Sequence, residues 1–317
     1  MNSIQGINVL KFQYSIRTIE FTIKGFCPDC LFLTLLLLLL NTMNTLPESI
    51  RKKLEAPYAL TQDQLTFYQK NQFIKLKEVF DTETIHFFNE VISAQVNQMN
   101  QEQTALEERS TYGKAFLQLF NLWRENELVK ELVFSKRMGK IAADLMRVDG
   151  VRLYHDQALF KEGGGGITPW HADQYYWPLS SDKTVTAWIP LQATPLEMGP
   201  LEFSAGSHAI VEGRELEIGD ESEEIIQKTL RVTDFHHVIE AFDIGEISFH
   251  SGWIFHRAGA NVTNDMRKVM TVIYMDKDMI LKKPDNKNQE NDWNTWCPGA
   301  KIGEVIQTPL NELIYSN

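Results

Sequence analysis

Residues 151–179 read VRLYHDQALFKEGGGGITPWHADQYYWPL. Ten residues of β-branched, aromatic and polar character are followed by four consecutive glycines, Gly163 to Gly166. His171 and Asp173 then stand two positions apart, ahead of Tyr175, Tyr176 and Trp177. The hydrophobic pattern changes its period here, from helical before the stretch to strand-like after it, so this stretch decides the fold class.

Downstream, TVTAWIPL, GPLEFSAG, GEISFHSG and RKVMTVIYM repeat the style of VRLYHDQALF. They are short runs separated by Gly, Pro, Asn and Asp. Strands at this spacing predict a sandwich or a barrel-like jelly roll. Upstream, residues 61–147 predict helices. Thr61 with Gln64 three positions on is a capping-box pattern. Asp81 precedes Ile85, Phe88, Val91, Ile92 and Val96 at helical spacing. Ser135 can cap KRMGKIAADLM, whose Met138, Ile141, Ala142 and Leu145 share one face. AFLQLFNLW and NELVKELV continue in that style, and no proline occurs between Pro57 and Pro169 to break it. EGRELEIGDESEEIIQKT reads as a polar surface excursion, and DNKNQENDWNTW as a long polar loop. The prediction is one α+β domain over 43–317, with a helical layer (43–147), a jelly-roll core (148–280) and a C-terminal loop and tail (281–317).

The chain has 317 residues and a net charge of −11, with no long Lys/Arg cluster to offset it. Binding along a nucleic-acid backbone is therefore disfavoured. Three cysteines, Cys27, Cys30 and Cys297, are too few for a disulfide framework. Cys27-Pro-Asp-Cys30 lacks the second ligand pair of a zinc site and the strand-to-helix context of a redox motif. The apolar run Leu31–Leu40 is half the length needed to span a bilayer. The preferred reading of residues 1–42 is a segment outside the functional protein, with Met43 as the start; a signal or membrane anchor and a buried hairpin are the alternatives. No membrane partner is expected of the remainder, and a cytoplasmic location is.

Alternate side chains at a strand end point the same way, so His171 and Asp173 share a face. A histidine from a distant strand would complete two imidazoles and one carboxylate, a set that leaves positions open on Fe(II). His256, 85 residues after His171 in WIFHRAGANVTNDMRK, is the candidate. His208, His236, His237 and His250 compete with it, and a buried structural histidine with a carboxylate partner would also explain His171. Arg267, eleven residues after His256, opens the strand KVMTVIYM and can hold a dicarboxylate by a bidentate pair. Lys161 either faces the site or is solvated.

These stretches, together with the closing WCPGAKIGEVIQTPLNELIY, resemble the phytanoyl-CoA dioxygenase family of Fe(II)/2-oxoglutarate oxygenases from about residue 65 to 315. The resemblance implies a double-stranded β-helix, a cupin-like jelly-roll variant preceded by helices. It implies that His171, Asp173 and His256 ligate the iron, that Arg267 pairs the far carboxylate of 2-oxoglutarate, and that Gln157 and Trp188 line the cosubstrate pocket. It further implies O2 as co-reactant, ascorbate as a supporting reductant, and a small-molecule substrate hydroxylated with release of succinate and CO2. Related halogenases lack the carboxylate, so Asp173 favours hydroxylation. Some relatives carry serine where this chain has Ala258, so one contact to the cosubstrate differs. Tyr175, Tyr176 and Trp177 are expected to wall the substrate cavity. The competing reading is a jelly roll that binds metal or 2-oxoglutarate without catalysis.

Overall fold

The computed structural model describes residues 45–233 and 235–317; the cysteine pair and the leucine run fall outside them. Residues 46–317 form one unit. Helix α1 (Glu48–Glu55) is followed by α2 (Gln62–Asn71), which opens on the expected capping box between Thr61 and Gln64. Strand β1 (Phe73–Leu76) precedes α3 (Thr82–Met99), capped by Asp81. Then come the single turn α4 (Thr111–Ala115), strand β2 (Leu117–Phe120), α5 (Glu127–Val133) and α6 (Lys136–Met146), whose N-terminus Ser135 caps.

The β region contains β3 (Gly150–Lys161), β4 (Thr168–His171), β5 (Thr184–Pro190) and β6 (Leu201–Ser204). Helix α7 (Asp220–Thr233) separates these from β7 (His237–Ile239), β8 (Ile247–Ser251), β9 (His256–Ala258) and β10 (Arg267–Asp276). Helix α8 (Lys287–Trp296) and β11 (Leu313–Ser316) close the chain. The strands form two antiparallel sheets. One runs β1-β8-β5-β10-β3-β11, with β2 sharing the β3 edge with β11; the other runs β4-β9-β6-β7. Neither closes into a barrel, and together they make the expected double-stranded β-helix.

Alternation along the strands assigns the faces. On β10, Met270, Val272 and Tyr274 pack with Phe88, Ile92, Ile141 and Leu145 of the helices, forming the main core. Arg267, Thr271 and Ile273 point the other way, into a cavity. The β3–β10 register shifts between Ile273, opposite His155, and Tyr274, opposite Leu153. Tyr154 is the extra residue, and the bulge turns both Tyr154 and His155 towards the cavity side.

Three expectations are corrected. The span 61–147 is not all helix: FIKL pairs β8 and LQLF pairs β3. Four-residue runs have no period long enough to choose between helix and strand, and here a free sheet edge chooses. The acidic insert contains α7, which buries Ser222, Ile226 and Leu230. Glu223 on it accepts from the Trp170 backbone N–H (2.8 Å) and the Arg257 guanidinium (2.6 Å), bolting the helix to β4 and β9. The polar tail contains α8, capped by Asn286, and β11 adds a strand from a segment read as tail.

Candidate metal centre

His171 ends β4 and His256 begins β9, and the two are cross-strand partners despite their separation in sequence. Asp173 opens the 3-10 turn that follows β4. One ligand atom from each of the three lies within 4.8 Å of the others, a cluster able to hold a metal ion. Asp173 Oδ1 is 3.5 Å from His171 Nε2 and 3.6 Å from His256 Nε2. Each histidine turns its Nδ1 to a backbone carbonyl, Pro169 at 2.7 Å and Ile254 at 3.1 Å. Donation there selects the tautomer whose Nε2 lone pair is free for a metal. Burial and the neighbouring His171 push His256 well below the usual imidazole range. For Asp173, burial acts upward, but His256, His171 and His250 outweigh it and hold the carboxyl well below its ordinary value. The Asp173 Oδ2 oxygen accepts from Thr186 Oγ1 at 3.2 Å and lies 3.4 Å from His250 Nε2.

Among the competing histidines, His237 is hydrogen-bonded to Glu202 at 2.8 Å, and neither it nor His208 or His236 lines the cavity. His250 does line it, with its ring 4.5 Å from that of His256. Its place follows from the register row Phe73, His250, Thr186, Ile273, His155 across β1, β8, β5, β10 and β3.

At the other end of the cavity, Arg267 and Lys161 face each other across β10 and β3. Arg267 is 1% exposed, donates to the Gly199 carbonyl, and stands 5.5 Å from the centre of the Trp188 ring. Its Nε has no partner. Burial alone draws the guanidinium down to about 9. Lys161, expected to face the site or solvent, is buried and donates to the carbonyls of Gly166 (2.6 Å) and Gly259 (2.7 Å). Burial, then Arg267, push it down to about 6. The glycine run makes this fold-back sterically feasible: a Cβ on Gly165 would lie 2.8 Å from Lys161 Cγ. Asn261 Nδ2 ties the loop to β3 through the carbonyls of Lys161, Glu162 and Asp265. Among the described residues no carboxylate is within ion-pair distance of either cation. That leaves Arg267 a buried cation without a counter-ion, a position that favours an anion, because an unpaired buried charge is costly.

A cavity of about 400 Å³ joins the triad to Arg267. Gln157 and Trp188 line it, sharing a row with Thr271. Gln157 Oε1 accepts from Gln118 Nε2 at 2.6 Å. Ala258 also lines it. Tyr176 and Trp177 line it, but Tyr175 does not. Tyr175 instead anchors α8: its hydroxyl accepts from Asn288 and its carbonyl from Gln289. Phe120, His155, Glu217, Asp292 and Trp296 also line the cavity and were not anticipated. Of these, Asp292 and Trp296 had a signal: Gln289, Trp293 and Trp296 recur at helical spacing behind Asn286.

The fold and this cluster together define the class: a double-stranded β-helix whose sheets hold a His-x-Asp and a distant His above a basic pocket. The phytanoyl-CoA dioxygenase (PhyH) family model matches residues 48–269, and the chain belongs to that family. No curated protein matches it by sequence. Among solved structures, the chain is similar to the non-heme alpha ketoglutarate dependent carbocyclase SnoK from nogalamycin biosynthesis (20% identity, TM-score 0.67, 82% of this chain and 100% of that one). It is similar to the epimerase SnoN in complex with Fe3+, alpha ketoglutarate and nogalamycin RO (20%, 0.66, 80% and 98%). It is also similar to EctD from S. alaskensis with 2-oxoglutarate and 5-hydroxyectoine (16%, 0.61, 79% and 89%). At these identities the likeness establishes the fold. Among the described residues no helix is long and apolar enough to cross a membrane.

Proposed function

We propose that the chain is an Fe(II)- and 2-oxoglutarate-dependent dioxygenase that hydroxylates an unactivated C–H of a small molecule. The observation that carries this reading is that the triad and an unpaired, buried arginine open onto one cavity. His171, Asp173 and His256 would hold the iron, the histidines offering Nε2 and Asp173 a carboxylate oxygen. Thr186 would steady the other carboxylate oxygen, to which it donates. Arg267 pairs the far carboxylate of 2-oxoglutarate, with Trp188 beneath its guanidinium. The bound iron supplies the oxidising power that converts 2-oxoglutarate and O2 to succinate and CO2 and hydroxylates the substrate. Asp173 supports hydroxylation over halogenation, because the carboxylate that related halogenases lack is present here. An acyl-CoA is disfavoured as substrate, since among the described residues Arg267 is the one Lys or Arg lining the cavity and the coenzyme phosphates would find no basic cluster there.

The test is an anaerobic titration of purified protein with Fe(II) and then 2-oxoglutarate, following the metal-to-ligand charge-transfer band. Admission of O2 with ascorbate should then release succinate. A protein that binds neither, or binds both without forming succinate, would refute the enzyme reading.

A further inference from the structure

The proposed reaction claims one end of the cavity and leaves the other unexplained. Around that outer end, Trp296 sits 4.8 Å from Phe120 and 4.7 Å from the His155 ring, centre to centre. Behind them Tyr154 meets Trp177 edge-on at 5.5 Å. Two carboxylates join these rings in the cavity wall, Asp292 from α8 and Glu217 from the loop before α7. Glu217 is brought there because the next residue, Ile218, donates its backbone N–H to the Tyr176 hydroxyl at 2.9 Å.

We infer that the substrate is a small amine, bound as its ammonium ion, with an apolar or ring-containing body. This rests on the oxygenase reading, because it assigns Arg267 to the cosubstrate. With Arg267 taken, the described residues of the wall offer a substrate no Lys or Arg, while Asp292 and Glu217 offer two acids. His155 does not alter the balance: burial lowers it to about 4, so it is neutral. Asp292 receives the Tyr154 hydroxyl at 3.2 Å and has no Lys or Arg partner among the described residues. Burial raises this carboxyl to about 7. An ammonium ion beside it would restore the ionised form, and a charge-assisted hydrogen bond is roughly twice as strong as a neutral one. The aromatic faces add cation–π attraction and contact for the body. An anionic substrate would meet two carboxylates and no compensating base.

The test uses three probes of one shape: cyclohexylmethylamine, cyclohexylmethanol and cyclohexanecarboxylate. They are titrated at pH 7.5 into anaerobic protein loaded with Fe(II) and 2-oxoglutarate. Binding is read from tryptophan fluorescence, since Trp177 and Trp296 line the site, and from perturbation of the charge-transfer band. The amine should bind at least tenfold more tightly than the alcohol, with the carboxylate weakest. Asp292→Asn and Glu217→Gln should each cut the amine-to-alcohol ratio at least threefold; Glu217 is exposed, so that variant does not risk the fold. Equal or better binding of the alcohol or carboxylate, a ratio unchanged in both variants, or binding of no probe would each overturn the inference. The band formed before any probe is added reports on the oxygenase reading separately. A band without amine preference sinks this inference alone, whereas fluorescence still ranks the probes if no band forms.

Discussion

The two ends of the cavity are made from opposite materials. The basic end comes from paired ends of two central strands, Lys161 on β3 and Arg267 on β10, held by backbone carbonyls of Gly166, Gly259 and Gly199. The acidic, aromatic end comes from an edge strand, a 3-10 turn, a loop and a C-terminal helix: Phe120, Tyr176, Glu217 and Trp296. Along β10 the two are separated by the six residues from Arg267 to Ile273, about 20 Å at about 3.4 Å per residue. Sheet register fixes the first end rigidly. Excursions outside that register build the second.

The largest effect should come from the centre, where both ends meet. His171→Ala removes a ligand and should abolish Fe(II)-dependent succinate formation while leaving the circular dichroism spectrum intact. Fe(II) affinity measured directly should fall by far more than the 10–100-fold typical of outer-shell changes. Retained affinity would show that His250 takes over as ligand, and the division of roles among the four polar groups there would need redrawing.

Arg267→Ala tests the basic end. Truncating one partner of a buried charged pair typically costs about 2–5 kcal/mol, so the KM for 2-oxoglutarate should rise roughly 30-fold or more. Metal affinity should be nearly unchanged. Arg267→Lys should not restore the wild-type value, because an ammonium lacks the planar fork. An unchanged KM in the alanine variant would transfer the cosubstrate to Lys161.

Lys161 gives a smaller, pH-dependent effect. Its folded value is about 6 against 10.5 for the free group. Between these values the unfolded chain binds a proton that the folded chain does not, so stability rises with pH across the window, by at most about 1.4 kcal/mol per unit. The destabilising contribution is complete below pH 6 and is relieved towards 10.5. In the absence of 2-oxoglutarate, the melting temperature should therefore rise from pH 7 to pH 9, and Lys161→Met should flatten that slope. Saturating 2-oxoglutarate with Mn(II) should flatten it in the wild type, because the anion restores the charge on the basic pair. A slope of the same size in Lys161→Met would locate the buried proton deficit elsewhere.

The smallest effect concerns the acidic end. Asn286 caps α8 by accepting from the Gln289 backbone N–H at 2.8 Å. Asn286→Ala should cost about 1 kcal/mol of stability in urea melts. It should loosen Asp292 and Trp296 without moving the KM for 2-oxoglutarate. A change in that KM would mean the two ends are mechanically coupled rather than separately built.

Much of this could be read before any coordinates. Thr61, Asp81 and Ser135 are caps because a side-chain oxygen beside free backbone N–H groups is a local device. The runs that became β3, β5, β6, β8 and β10 were legible because each carries enough β-branched and aromatic residues between turn formers. His171, Asp173 and Arg267 were legible by residue type and spacing. What sequence left open was which distant pieces meet. His256 and His250 are six residues apart, and either could have served until β4 paired with β9 and brought His256 opposite His171. LQLF became a strand because β3 offered an open edge, and DNKNQENDWNTW became a helix whose Tyr175 contacts seat it at the cavity mouth. The sequence by itself determined the class of fold and two of the three cluster residues, because periodicity, capping and short spacings are local properties of a chain. Tertiary structure decided for His256 over its competitors, and it alone decided the isolation of Arg267 from the carboxylates of the described residues and the acidic wall, because each depends on strand register and on contacts between residues far apart in sequence.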